Sequence, residues 1–526
     1  MERERPPLRS LYRLTWWKLG LALLSALLIY LAFPPADLGP LVWVGLAPLF
    51  LALTQVRPGG GFVLGFVFGL AFFLTFSSFM LSYGHATWVI TGIFEALFYG
   101  LFGLAATAGN GCLHPALRAF PMAAAYTLFA EVLRGSMGGL GFTNGDLGYT
   151  QHAELPLLQI ASIVGHYGLG FVIAALNAAL AQALLSVAPG LLLRPAMDPR
   201  LFSRLAAKTA LAVYVVLILF YVWGAIVIRA DGQESGEPLS VAAVQGSVPV
   251  QVPLTEVDVQ NCTEAYIALS KTIPSEVRLI VWPETAVPSE LNERKDLMSR
   301  VRELATEKDS WVLAGAPLWT DSGDLLNTLY LISPKGELAD TYSKVRLVPF
   351  GEYVPYREKY RFLERFPVRK FDFSPGDRHK LLEVDGRRLG PVICFEALFP
   401  HVMRDLTRMG AQVLVAATSD EWAKGTAEIA QHSYTAPLRA VESRRYLIRA
   451  ATWGVSGIIT PYGRWLSPVP DSAAGVSWED VYARDELSPY HRAGDVPLLA
   501  VCLMLWLAGI FCSRSSRRAA TGEDSR

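Results

Sequence analysis

Three side chains of this 526-residue chain have the types and settings needed for covalent chemistry. Cys394 ends a short apolar, strand-like run in RLGPVICFEALFP, residues 388–400. A thiol placed where a buried strand stops is presented at a sheet edge, and the backbone amides of the following turn can face an oxyanion. In VRLIVWPETAVP, residues 277–288, a second apolar run is stopped by Pro283 and followed at once by Glu284. In YSKVRLVPFGEYVP, residues 342–355, stand Lys344 and, after an apolar bend, Glu352. Each has a plainer reading by itself: Cys394 as a small core residue, Glu284 in a surface turn, Lys344 as a solvated charge at a strand end.

Taken together, an acid, an ammonium and a thiol suit nucleophilic acyl chemistry, because a thiolate is a strong nucleophile and a thioester stays reactive toward amines. A base must take the thiol proton. Ordinary pKa values of about 4.3 for Glu and 8.5 for Cys leave a gap of about 4 units, roughly 5–6 kcal/mol. Burial of Glu284 and an ammonium beside Cys394 are expected to narrow it. Lys344 can also donate to a carbonyl oxygen as it becomes an oxyanion.

The motifs WPET (282–285), KVRLVPFGEYVP (344–355) and ICFE (393–396) resemble the nitrilase-type amidase superfamily and, within it, the bacterial apolipoprotein N-acyltransferases. The resemblance implies an αββα sandwich with Glu284, Lys344 and Cys394 as a triad at strand ends. It implies that Glu352 and Glu396 support the triad by holding Lys344 or the backbone; taken alone, both are equally fold-level hydrogen-bond acceptors. The implied reaction is ping-pong: Cys394 takes an acyl chain from a membrane phospholipid and passes it to the α-amino group of a diacylglyceryl-modified apolipoprotein. An α-amino group with a pKa near 8 is partly neutral at pH 7, whereas a lysine amine near 10.4 is not. No cofactor and no metal are implied, and a monomer is expected. The resemblance extends to FPPADLGPLVWVGLAPL (33–49) and QIASIVGHYGLGFVIAALNAAL (159–180). Departures at FTNGDLGYTQ (142–151), TWG (452–454) and Phe395 bear on substrate contacts, not on the triad. A membrane-tethered amidase, in which water resolves the thioester, is the alternative within the same chemistry. A transporter or an inactive scaffold is the alternative outside it, disfavoured by the few ionisable residues in the apolar spans, chiefly Glu95 and Glu131.

The elements that must position these residues divide in two. Hydrophobic residues make up 52%, charged residues 18%, and mean hydropathy is +0.32, which points to a membrane protein. A formal net charge of +0 gives no support to nucleic-acid binding. About eight spans are expected: 19–33, 41–53, 62–81, 88–108, 120–133, 157–187, 205–228 and 496–512. The first follows a basic segment and reads as a retained helix, since no small-residue cleavage site follows it. Arg57, Arg118, Arg194, Arg200, Arg204, Lys208, Arg514, Arg517 and Arg518 fall in loops on one side and the short outer loops hold almost only Arg134. By the positive-inside rule that places both termini in the cytoplasm and the polar segment on the extracytoplasmic face; the resemblance implies that the membrane is a bacterial inner membrane and that face the periplasmic one. The expected organisation is helices 1–7 in 1–229, a catalytic domain in 230–492, helix 8 in 493–513 and a cytoplasmic tail in 514–526, with RAATGEDSR (518–526) disordered. Inside the polar segment, short apolar runs alternate with charged, helix-permissive stretches such as 289–309, the pattern of a layered α/β domain. The five cysteines show no metal-ligand spacing; Cys262 is the only disulfide partner available to Cys394 in the polar segment, and a reactive thiol fits better. The aromatic and basic stretch 356–373 reads either as a surface helix or as an interfacial arm touching lipid.

Overall fold

The computed structural model describes residues 14–108, 115–187, 199–232, 236–249, 254–355, 357, 359 and 372–521. The chain divides into two compact units: one of Met1–Met137, Gly141–Ile226 and Asp495–Arg526, the other of Gly138–Leu140 and Val227–Gly494.

The first unit is helical. Among the described residues five helices are long and apolar enough to cross a membrane: Pro58–Phe76, His85–Ala108, Ala161–Leu185, Ala207–Ala230 and Val496–Ser513. Trp16–Leu31 and Gly39–Leu53 are apolar but shorter. The expected span at 120–133 is a composite, α-helical over Ala119–Ala125, π-helical over Tyr126–Val132 and α-helical again over Leu133–Gly135. Helices Pro58–Phe76 and His85–Ala108 approach through glycine: a Cβ on Gly65 would lie 2.0 Å from the Tyr99 carbonyl oxygen. Small residues at such contacts let two backbones close up where lipid supplies no hydrophobic drive.

Arg134, expected in an outer loop, is instead fully buried in this unit. It donates to Glu95 at 3.3 Å and also to Asp146, whose other oxygen lies 3.0 Å from His166 Nε2. A charge inside an apolar bundle is held only where opposite charges and carbonyls surround it. The last helix continues to Thr521, so residues 518–521 of the expected disordered tail are helical. The arm expected at 356–373 lies outside the described residues apart from Arg357, Lys359, Asp372 and Phe373.

The second unit is a four-layer α/β sandwich. One six-stranded sheet is formed by β1 (Leu239–Gln245), β2 (Leu279–Val281), β3 (Trp311–Trp319), β4 (Leu325–Ile332), β5 (Leu338–Ser343) and β12 (Gly475–Val481), in the order β12-β1-β2-β3-β4-β5. The other is formed by β6 (Leu382–Val384), β7 (Arg387–Ile393), β8 (Val413–Thr418), β9 (Leu447–Ala451), β10 (Ser456–Ile459) and β11 (Trp465–Val469), in the order β11-β10-β9-β8-β7-β6. Strands β1, β2 and β3 are parallel, as are β7, β8 and β9. Alternation sorts their side chains. Val241, Ala243, Leu279 and Val281 meet Ile393, Val413, Val415 and Ile448 between the sheets. Ala242, Val244 and Ile280 face outward onto helices Glu256–Lys271 and Lys295–Lys308, which contribute Val259, Tyr266, Val301 and Leu304. On the far side Val392, Leu414 and Leu447 pack against Pro400–Arg408 and Thr435–Ser443. A strand covered on both faces has no solvent side, so its sequence reads as an unbroken apolar run. That is the pattern of RLIVW, PVICF and QVLVAAT.

Candidate active site

Glu284 stands three residues past β2, in a turn that Pro283 starts and in which Thr285 is left-handed (φ 55°). The turn folds down onto β3 because residue 315 has no side chain: a Cβ there would fall 2.2 Å from the Pro283 carbonyl oxygen. Lys344 is the first residue beyond β5, and its own N–H donates to the Asn327 carbonyl at 2.8 Å. Both side chains are buried, at 6% and 1% exposure. The Lys344 ammonium lies 3.3 Å from Glu284 Oε1 and 2.9 Å from Glu352 Oε2. Asn327 of β4 closes the arrangement, its Nδ2 donating to Glu284 Oε1 at 2.6 Å and to Glu352 Oε1 at 3.0 Å. The other Glu284 oxygen accepts from the Ser419 N–H at 2.8 Å, and the other Glu352 oxygen from the Val348 N–H at 2.8 Å.

Cys394 follows the last residue of β7 and opens a short 3-10 turn over Cys394–Leu398. Its backbone is left-handed (φ 52°), uncommon for a non-glycine residue and concentrated at functional sites. The reversal turns the chain sharply at the strand end, the geometry by which an elbow presents a nucleophile. Cys394 and Cys262 are both free thiols, so no disulfide joins them. The Glu284 carboxylate, the Lys344 ammonium and the Thr418 side chain all act on the Cys394 thiol.

The electrostatics of Cys394 differ from the expected lowering of its thiol by the ammonium. Burial, then the Glu284 carboxylate, push the Cys394 thiol well above its ordinary pKa, against the opposing pull of Lys344. The reason lies in the count of charges: one ammonium faces two carboxylates, so Lys344 is already more than neutralised. For Lys344 burial favours loss of the proton, but Glu284 and Glu352 outweigh it and hold the ammonium well above its usual value. The resting site therefore holds a neutral thiol beside a firmly charged lysine.

Glu396 has a different place from Glu352. Fully buried, it accepts from the N–H groups of Val345 (2.8 Å) and Arg346 (3.0 Å) with one oxygen, and from the Ile393 N–H and the Tyr342 hydroxyl, both at 2.8 Å, with the other. It ties the backbone just after Lys344 to the backbone just before Cys394. Two groups escaped the sequence reading. Asn327 is the single amide in the apolar run LNTLYLIS, a mismatch that is the usual mark of a buried polar contact. Asp420 follows the apolar run of β8 as Glu284 follows that of β2.

Residues 240–485 match the carbon-nitrogen hydrolase family, and residues 25–179 match the apolipoprotein N-acyltransferase N-terminal domain. The chain is 32% identical to the apolipoprotein N-acyltransferase of Geobacter metallireducens, over 90% of this chain and 91% of that one. It is 32% identical to the enzyme of that name from Pseudomonas aeruginosa strain PAO1, over 92% and 94% of the two chains. An amidase from Nesterenkonia sp. of known crystal structure is 21% identical, with a TM-score of 0.36, over 50% of this chain and 96% of that one. Identity at this level, carried through the apolar helices as well as the sandwich, means that this chain belongs to the apolipoprotein N-acyltransferase family.

Proposed function

We propose that Cys394 carries the acyl chain between a membrane phospholipid and the α-amino group of a diacylglyceryl-modified apolipoprotein. Sulfur attacks the ester carbonyl of the donor while Glu284 takes the thiol proton. The tetrahedral oxyanion is met by the Lys344 ammonium. The carbon–oxygen bond breaks, Glu284 returns the proton to the departing lysophospholipid oxygen, and a thioester remains. The neutral amine then attacks the thioester carbon, Glu284 takes the proton that the nitrogen sheds, the carbon–sulfur bond breaks, and the sulfur recovers its proton. Glu352 holds Lys344 charged and Glu396 holds the two strand ends in register. The observation that carries this reading is a left-handed, buried Cys394 coupled to a lysine that is itself clamped between Glu284 and Glu352.

The apolar helices support a seat in a bacterial inner membrane, where both lipid-anchored substrates of this reaction would lie. The bias of Arg57, Arg118, Lys208 and Arg514 to one side favours a periplasmic catalytic unit. Glu284, Lys344 and Cys394 come from one chain, so a monomer suffices.

The test is intact-protein mass spectrometry after exposure to phospholipid. The expected product is one acyl chain on Cys394, absent from Cys394→Ala and almost absent from Glu284→Gln and Lys344→Ala, and discharged by a diacylglyceryl peptide. Normal turnover by Cys394→Ala refutes the assignment. Steady release of fatty acid without acceptor replaces acyl transfer with the amidase-like hydrolysis.

A further inference from the structure

The turn after β8 touches both reacting side chains and is itself held by a buried charge network. Its Ser419 N–H donates to Glu284 Oε2 at 2.8 Å, and Thr418, the last residue of β8, acts on the Cys394 thiol. The next residue, Asp420, is 1% exposed. Its Oδ1 lies 2.7 Å from His432 Nδ1 and accepts from Thr418 Oγ1 at 3.3 Å, and its Oδ2 accepts from Arg449 at 2.9 Å. Arg449, on β9, is anchored in turn by the Val455 carbonyl at 2.7 Å. The segment Thr452–Gly454, one of the departures in sequence, backs the same turn. The Thr452 N–H donates to the Thr418 carbonyl at 3.1 Å, and the Thr452 hydroxyl donates to the Ser419 hydroxyl at 3.1 Å. Residue 454 must be glycine here, since a Cβ would fall 2.0 Å from Asp420 Oδ2.

A carboxylate this deep costs desolvation that its partners only offset, and its charge works against a thiolate at Cys394. Neither effect helps the reaction, whereas the turn it braces holds both the base and the nucleophile. We propose that Asp420, with Arg449 and His432, is a positioning residue that clamps the Thr418–Ser419 turn so that Glu284 and Cys394 stay aligned for proton transfer. The inference rests on the reading of Cys394 as nucleophile.

Charge and clamping predict opposite signs. Removing a negative charge by itself eases ionisation of the thiol and speeds acylation; losing the clamp slows it. The experiment is single-turnover acylation of Cys394 by phospholipid in the full-length protein, followed by mass spectrometry, for Asp420→Asn and Thr418→Val. The expected result for Asp420→Asn is a rate lower by roughly 10- to 100-fold, by analogy with the loss when a hydrogen-bond partner that orients a metal-site ligand is removed. The half-saturating phospholipid concentration changes less than about twofold, since the clamp touches no substrate. Thr418→Val keeps the Asp420–Arg449 and Asp420–His432 pairs and removes the hydroxyl that links Thr418 to Asp420 at 3.3 Å, so it decides the matter if Asp420→Asn does not fold; a severalfold slower acylation is expected. A wild-type or faster rate in either folded variant overturns the clamp, as does a loss confined to phospholipid affinity. A wild-type protein that takes up no acyl chain overturns the nucleophile assignment, and the clamp with it.

Discussion

Replacing Glu396 tests how the two strand ends are locked together. Its carboxylate accepts four hydrogen bonds, from three backbone N–H groups and one tyrosine hydroxyl, with no exposure to water. In Glu396→Gln the amide oxygen keeps the bonds from Val345 and Arg346, and the new NH2 can donate to Tyr342 by turning that hydroxyl round. It cannot accept from the Ile393 N–H. One orphaned buried donor costs about 1–3 kcal/mol, and the bonds that remain lose their charge assistance, so a loss of roughly 2–4 kcal/mol is expected. The flipped amide orphans two donors instead and is worse. In Glu396→Ala the three backbone N–H donors lose their partner and the Tyr342 hydroxyl keeps only His379 Nδ1 at 2.9 Å, so the loss exceeds that of Gln by at least about 2 kcal/mol. Thermal unfolding of the detergent-solubilised protein reads the stability, and acyl-Cys394 formation reads the consequence for Cys394, whose neighbour Ile393 is the orphan. An Ala variant as stable as the Gln variant, or a Gln variant within about 0.5 kcal/mol of the native protein, refutes the view of Glu396 as a four-point tie.

Gly315→Ala places a methyl group against the Pro283 carbonyl, so the turn carrying Glu284 must lift off β3; acylation of Cys394 is expected to collapse while membrane insertion persists, and wild-type acylation would show that the turn has room to spare. On the alkaline side, Cys394 ionises near 9.0 in an unfolded chain but well above that when folded, and Lys344 deprotonates near 10.5 unfolded but higher when folded. Both raised values stabilise the folded state below the unfolded values, and that contribution is lost as pH rises past about 9. The melting temperature should fall between pH 9 and 11, and less steeply in Cys394→Ala. On the acid side, burial presses His491 down to about 3 and His401 to about 4, from 6.5 unfolded. Here the stability is present above 6.5 and is lost as pH drops toward those values, so His491→Gln should flatten the decline of the melting temperature between pH 6.5 and 4.

The amino-acid order alone determined a great deal of this protein. Strands buried on both faces need unbroken apolar runs, so RLIVW and PVICF announced themselves, and the polar residue that ends each run was bound to sit at a sheet edge. That is why Glu284 and Cys394 could be picked out, and why the helical unit showed in its hydropathy; Lys344, which follows the mixed strand LADTYS, stood out only through its motif. Tertiary structure decided what hydropathy and spacing do not encode. Arg134 looked like a loop charge because its partners Glu95 and Asp146 lie 39 and 12 positions away, and only packing brings them together. The thiol's upward shift could not be read from an ammonium nearby in sequence motifs, because the effect of Lys344 depends on Glu284 and Glu352 both lying against it. Asn327 and Asp420 carry no motif of their own; their importance comes from what the fold sets beside them, and electrostatic and hydrogen-bond energies fall off over a few ångströms of space whatever the distance along the chain.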